Sequence, residues 1–125
     1  MALQAGQLVL VVEDEPLVRQ VAQLMLECAG FTVVVAEDAH RALEVLEMES
    51  AVCLIVSDVQ MPGYLDGLDL IKHLRLEGVQ TPAILTSGRI HPQALPAETS
   101  FLPKPYTLAK LLEVVHERLP KTPQL

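Results

Sequence analysis

The chain has 125 residues, half of them apolar, which suffices for one domain with a real core and argues against disorder or dependence on disulfides. Its formal net charge is −7, and its nine Lys and Arg residues are scattered without a run or stripe, so direct contact with nucleic acid is not expected. No apolar run is long enough to cross a bilayer, and the opening MALQAGQLVLVVEDE lacks a basic start and a cleavage site; the expectation is a cytoplasmic protein without membrane contact. Cys28 and Cys53 form no CxxC and have no His at zinc-finger spacing, and they read as buried, reduced thiols. His40, His73, His91 and His116 stand singly among polar neighbours, which favours surface positions.

Leu8 to Val12 is a continuous apolar run and reads as the first strand. Pro16 then suits the first turn of a helix, where its missing N–H costs nothing, and Gly30 suits the position beyond that helix's end. The spacing predicts an inward face of Leu17, Val21, Leu24, Met25 and Leu26. Phe31 to Val35 supplies a second strand. A second helix is predicted over Asp38 to Glu49, with Ala42, Leu43, Val45 and Leu46 inward. Val52 to Val56 is a third strand that ends abruptly at Asp58 and a turn-forming Met-Pro-Gly.

Leu68, Leu70, Ile71 and Leu74 then mark a third helix, and Pro82 to Thr86 a fourth strand. Ser100 to Leu102 is a short fifth strand, which Pro103 places at a sheet edge because a lost backbone donor is tolerated there. Thr107 caps a last helix carrying Leu108, Leu111, Leu112, Val115 and Leu119 at helical spacing. Strands alternating with helices imply a doubly wound parallel α/β sheet with right-handed crossovers. The chain is expected to be a single domain over residues 1–125 with a core at about 7–120; only Met1 to Gln7 and Lys121 to Leu125 look loosely held.

In an open parallel sheet, ligands sit outside the carboxyl ends of the strands. Asp58 follows the third strand there, and the acidic Glu13-Asp14-Glu15 follows the first. Asp58 alone could be an ordinary turn cap. Two neighbouring strand ends that present Glu13, Asp14 and Asp58 to one crevice are better explained by a cation, since converging carboxylates raise one another's pKa unless one is bound. Hard oxygen ligands of this kind suit Mg²⁺.

Four motifs now stand in order: an acidic pair after strand one, an Asp followed by Met-Pro after strand three, a small hydroxyl residue after strand four, and Lys-Pro after strand five. This pattern resembles the receiver domain of two-component response regulators, over nearly the whole chain. The resemblance implies the flavodoxin-like fold with strand order 2-1-3-4-5. It implies Asp58 as phosphoacceptor, Ser87 as the switch hydroxyl, Lys104 as the lysine that meets the phosphoryl group, and Phe101 as the aromatic switch residue. Asp14, Asp58 and the backbone carbonyl of Gln60 would hold Mg²⁺, and Glu13 would reach it through water. The implied partners are a sensor histidine kinase or histidine phosphotransfer protein as donor, on a docking face including Pro16, Leu17 and Pro105, and a downstream protein target. The chain would be a monomer or a phosphorylation-dependent dimer. With no room for an output domain, it would act alone, as a phosphorelay intermediate, or as a module of a hybrid kinase.

Three departures from the family pattern are visible. The stretch DVQMPGYLDG is one residue longer than the usual D-x-x-M-P-x-x-D-G, and Phe101 stands where Tyr is common. The interval from Gly88 to Pro103, GRIHPQALPAETSFLP, is also short, and Pro92 and Pro96 disfavour helix at and before them. The fourth helix of the usual receiver is therefore expected to be absent or reduced to a turn, and the segment to be more mobile than the rest.

Two other functions are weighed against this one. A Mg²⁺-dependent aspartyl phosphatase of the haloacid dehalogenase type would need a second Asp two residues after the first, where this chain has Gln60. A flavodoxin-like electron carrier would need a phosphate-binding loop after strand one, where Glu13-Asp14-Glu15 would repel a phosphate. The expected role is a switch rather than a turnover enzyme, and since no site residue is missing, a mere scaffold is disfavoured.

Overall fold

The computed structural model describes residues 6–119. Strands β1 (Leu8–Val12), β2 (Thr32–Ala36), β3 (Val52–Asp58), β4 (Ala83–Ser87) and β5 (Thr99–Pro103) form one parallel sheet in the order β2-β1-β3-β4-β5. Helices α1 (Pro16–Cys28), α2 (Ala39–Met48), α3 (Gly67–Leu76) and α4 (Leu108–Arg118) cover it. The predicted strands fall within about a residue of those observed, except that β3 runs on to include Asp58 itself.

Because side chains alternate along a strand, the apolar runs of β1 and β3 feed both faces of the sheet. Val9, Val11, Leu54 and Val56 pack with Ala22 and Leu26 of α1 and Leu111, Val114 and Val115 of α4. Leu10, Val12 and Ile55 pack on the other face with Ala42 and Val45 of α2 and Leu70, Ile71 and Leu74 of α3. The two strands are thereby covered on both sides, and Asp58 at the carboxyl end of β3 is partly exposed. β5 lies at the sheet edge, as Pro103 requires.

The inward face of α1 differs from the prediction. Ala22 and Leu26 are buried, whereas Leu17, Val21 and Leu24 are 71%, 51% and 52% exposed. Periodicity locates an apolar stripe but not the direction in which it faces, and α1 has more apolar residues than the sheet can cover. The small Ala22 sets the contact, so the larger residues flanking it turn outward. Cys28 is likewise exposed and Cys53 only half-buried, against the expectation of two buried thiols. Cys28 closes the last turn of the same outward-turned helix.

β4 and β5 are joined by residues 88–98 without a helix, so the helix expected there to be absent or reduced to a turn is absent. Pro92 and Pro96 lie within this segment, and Glu98 ends it in the left-handed region at φ 56. Gly6 and Gln7 bond to the turn after α1, through the Gly6 amide to Gly30 (3.3 Å) and the Thr32 amide to Gln7 (2.9 Å). The rest of both chain ends lies outside the described residues.

The altered face of α1 makes a direct prediction. Leu26→Ala should cost about 2–5 kcal/mol in urea unfolding, as other buried Leu truncations do, while Leu24→Ala should stay within about 0.5 kcal/mol. Equal losses at both positions would contradict this packing.

Candidate functional site

Glu13, Asp14 and Asp58 each offer a carboxylate oxygen within 4.8 Å of the others at the carboxyl ends of β1 and β3. The local backbone sets this convergence. The Glu13 amide donates to the Ala36 carbonyl (3.0 Å) and the Val59 amide to the Thr86 carbonyl (2.8 Å), continuing the sheet ladder one step past each strand. The Arg19 guanidinium of α1 reaches back to the Glu13 carbonyl at 2.9 Å. Asp14 is exposed, while Asp58 is half-enclosed and Glu13 is only 4% accessible.

Lys104 enters from the end of β5, where its amide donates to the Ser87 carbonyl at 3.0 Å. Its ammonium donates to Glu13 Oε1 at 2.8 Å and stands 3.5 Å from Asp58 Oδ1. Burial pushes the Glu13 and Asp58 carboxyls above their usual range, and the lysine only partly offsets this. Burial alone would lower the Lys104 pKa, but the hydrogen bond to Glu13 and the charge of Asp58 together carry it above the ordinary lysine value. Glu13 and Asp58 thus share one ammonium, with the Asp14 carboxylate beside them. The donor set, three hard oxygens with a net deficit of positive charge, fits Mg²⁺.

Gly67 secures Asp58 from behind. Its amide donates to the Val59 carbonyl at 2.8 Å, and a Cβ at this position would come within 2.8 Å of both the Asp58 carbonyl carbon and Ser57 Oγ. Asp66 caps α3 by accepting from the Asp69 amide at 2.8 Å, with Asp69 returning the bond at 3.3 Å. Both ends of the loop after β3 are therefore fixed. Its additional residue is taken up between them, where Gly63 adopts φ 104 and Tyr64 stands fully in solvent.

Ser87 is buried at the end of β4, where its hydroxyl oxygen accepts from the amides of Arg89 and Ile90. Among the described residues that hydroxyl makes no hydrogen bond to Glu13, Asp58 or Lys104. Gln60 follows Asp58 in the exposed loop. Phe101 is not at the acidic cluster; it lies half-buried in β5 with its ring against His91, which is exposed as expected. Arg19, Gly67 and His91 were not singled out in the sequence. Gly67 carried a signal, the Asp-Gly that opens α3, while the long reach of Arg19 to a backbone carbonyl has none.

An apolar groove of about 620 Å³ adjoins the cluster, between α1 and the turn after β5. Leu17, Val18, Val21, Met25, Pro105 and Tyr106 line it together with Gly88 and Lys104. The half-buried Tyr106 phenol is pushed above its usual pKa, chiefly by burial. No described helix is long and apolar enough to cross a membrane.

A parallel sheet that gathers carboxylates from β1 and β3 and a lysine from β5 at one edge is the arrangement of a phosphorylation switch of the two-component type. The chain belongs to the response regulator receiver domain family, whose profile matches residues 9–116. It is similar to the sensor kinase CckA of Brucella abortus, 38% identical over 95% of this chain and 13% of that protein. It is also similar to the sensory/regulatory protein RpfC of Xanthomonas campestris pv. campestris, 35% identical over 93% of this chain and 17% of that one. The chain thus spans less than a fifth of either relative. Among solved structures, the receiver domain of the hybrid histidine kinase CckA matches with a TM-score of 0.77 at 36% identity, covering 90% of this chain and 99% of that one. Chemotaxis protein CheY4 of Vibrio cholerae matches with a TM-score of 0.80 at 27% identity, covering 92% and 100%. Receiver domains signal through a phosphorylated aspartate, bind Mg²⁺ at their acidic pocket and act as switches rather than turnover enzymes.

Two outcomes follow from the site. A group whose folded pKa is raised contributes stability below its unfolded pKa, near 4 for a carboxyl, and loses that contribution as pH rises through the folded value. Metal-free Asp58→Asn should therefore melt on the order of a few degrees above the parent at pH 7, with the gap closing below about pH 4. An Asp58→Asn protein less stable than the parent in EDTA at pH 7 would contradict this. Gly67→Ala should weaken Mg²⁺ binding about tenfold or more by displacing the Asp58 backbone, as calorimetric titration would show; unchanged affinity would mean that the close approach is relieved elsewhere.

Proposed function

We propose that this chain accepts a phosphoryl group from a phosphohistidine onto Asp58, and that the modified domain presents a changed surface to a protein target. The observation that carries this reading is the Lys104 ammonium set between Glu13 and Asp58, at 2.8 Å and 3.5 Å, in a cluster that still lacks positive charge. A carboxylate oxygen of Asp58 attacks phosphorus, an O–P bond forms as the N–P bond breaks, and the bonding pair returns to the donor imidazole nitrogen. Such a transfer needs a positioned nucleophile and neutralised equatorial oxygens more than covalent assistance.

Gly67 and the β3–β4 ladder hold the Asp58 backbone in place. Lys104 moves its charge from Glu13 toward the incoming phosphoryl oxygens, and the Ser87 hydroxyl donates to one of them. Asp14, Asp58 and the Gln60 carbonyl would hold Mg²⁺, with Glu13 contacting it through water. When bound, the ion supplies charge neutralisation of the phosphoryl oxygens.

The groove between α1 and the turn after β5 is the docking face for the donor. Leu17, Val21 and Pro105 border it and lie beside Lys104, so a helical donor seated there brings its histidine to the strand ends. Pro16 belongs to the same end of α1 but does not line the groove. The likeness to the receiver of a hybrid histidine kinase supports a second role, as a phosphorelay intermediate that passes the group to a histidine phosphotransfer protein on the same face.

Acetyl phosphate with Mg²⁺ should add a single phosphoryl group to the protein by intact mass, and none to Asp58→Asn; addition that persists in that variant would overturn the assignment. Leu17→Asp or Val21→Asp should slow transfer from the cognate kinase about tenfold or more while leaving labelling by acetyl phosphate unchanged, because interface truncations at apolar anchors cost a kcal/mol or more. Equal kinase rates in parent and variants would place the docking face elsewhere.

A further inference from the structure

The start of α1 is fastened differently from the starts of the other helices. α2, α3 and α4 are each preceded by a side chain that accepts from their first turn, Asp38, Asp66 and Thr107, at 2.8, 2.8 and 3.1 Å. Glu15, which precedes α1, makes no such bond, and Pro16 follows it. Arg19, the one Lys or Arg of α1, reaches back instead, and its guanidinium donates to the Glu13 carbonyl at 2.9 Å. Among the described residues it forms no salt bridge, although Glu13, Asp14 and Glu15 all precede it in the same stretch. It spends its donor on a backbone oxygen.

Glu13 is held at every polar atom. Its amide donates to Ala36 at 3.0 Å and its carbonyl accepts from Arg19, while Oε1 accepts from Lys104 at 2.8 Å and Oε2 from the Glu15 amide at 3.2 Å. Asp14 is the opposite case. It is exposed, and among the described residues it makes no hydrogen bond of its own, so its neighbours alone decide where its carboxylate lies.

We propose that Arg19 is the positioning residue for Asp14, acting through the peptide that joins Glu13 to Asp14. This inference rests on the reading of Glu13, Asp14 and Asp58 as a cation site. The Glu13 carbonyl and the Asp14 amide belong to one planar unit, whose main freedom is rotation about the bonds on either side. Holding the oxygen at one edge of that plane sets the direction in which Asp14 leaves it. Without the bond the plane can turn while the Glu13 side chain stays on Lys104, and the Asp14 carboxylate swings away from Asp58. A charged donor makes the stronger hydrogen bond to a carbonyl, and guanidinium is the more weakly hydrated of the two basic groups, which suits this half-buried place.

A role through charge alone would have the opposite sign. A positive charge beside the cluster opposes an incoming cation, so removing it would raise the affinity for Mg²⁺. Removing a group that orients a metal ligand lowers the affinity, by about tenfold or more.

Calorimetric titration of Mg²⁺ into the full chain and into Arg19→Met, Arg19→Gln and Arg19→Lys separates the two. Met keeps much of the apolar length without a donor, the Gln amide is too short to reach the carbonyl, and Lys keeps both charge and donor. Arg19→Met and Arg19→Gln should each bind about tenfold or more weakly than the parent, and Arg19→Lys should recover most of that loss; Arg19→Gln decides the matter if Arg19→Met does not fold. In the metal-free protein the Asp14 amide proton should shift in Arg19→Gln while the Val59 amide stays in place, which locates the change at the Glu13–Asp14 peptide. Unchanged or tighter Mg²⁺ binding in the variants overturns the proposal, as does a weakening that leaves the Asp14 amide unmoved or that Lys does not restore. If the parent itself binds no Mg²⁺, the reading of the cluster as a cation site falls and the proposal with it.

Discussion

The structure turns on a charge imbalance at the edge of the sheet. Glu13, Asp14 and Asp58 converge within 4.8 Å, and a single ammonium, that of Lys104, stands among them. Left to itself this arrangement opposes folding, since burial raises the Glu13 and Asp58 pKa values and the lysine does not fully compensate. Positive charge from outside relieves it, and the three carboxylate oxygens fit a hard divalent cation that would supply that charge.

The scaffold makes that state possible. Two central strands buried on both faces cannot rotate or slide without disturbing two cores at once, so their carboxyl ends are fixed relative to one another. The backbone bonds from Glu13 to Ala36 and from Val59 to Thr86 extend this rigidity past the last strand residues, and Gly67 packs against the Asp58 carbonyl where no side chain could fit. The periphery is built the other way. The outward face of α1 and the helix-free segment before β5 expose apolar side chains.

Much of this was legible in the residues. Continuous apolar runs report strands buried on both faces, and an acidic cluster immediately after two such runs places carboxylates at one edge of a parallel sheet. The absence of a fourth helix could be read from Pro92 and Pro96, because proline acts on the local backbone whatever its surroundings. The facing of α1 could not, since Leu17, Val21 and Leu24 fit helical spacing as well as Ala22 and Leu26 do. Which stripe is buried depends on the space above the sheet, a tertiary quantity. The His91 contact with Phe101 was hidden for the same reason: it joins a loop to a strand, and no periodicity encodes it.

The central claim is that the carboxylates at the strand ends are gathered for a divalent cation and not merely tolerated there. Calorimetric titration of Mg²⁺ into the parent and into Asp14→Ala tests it most directly, because Asp14 is exposed and its loss leaves the cores and the Lys104 contacts intact. The account predicts one saturable binding event in the parent and no heat in Asp14→Ala. Undiminished binding in the variant, or none in the parent, would contradict it.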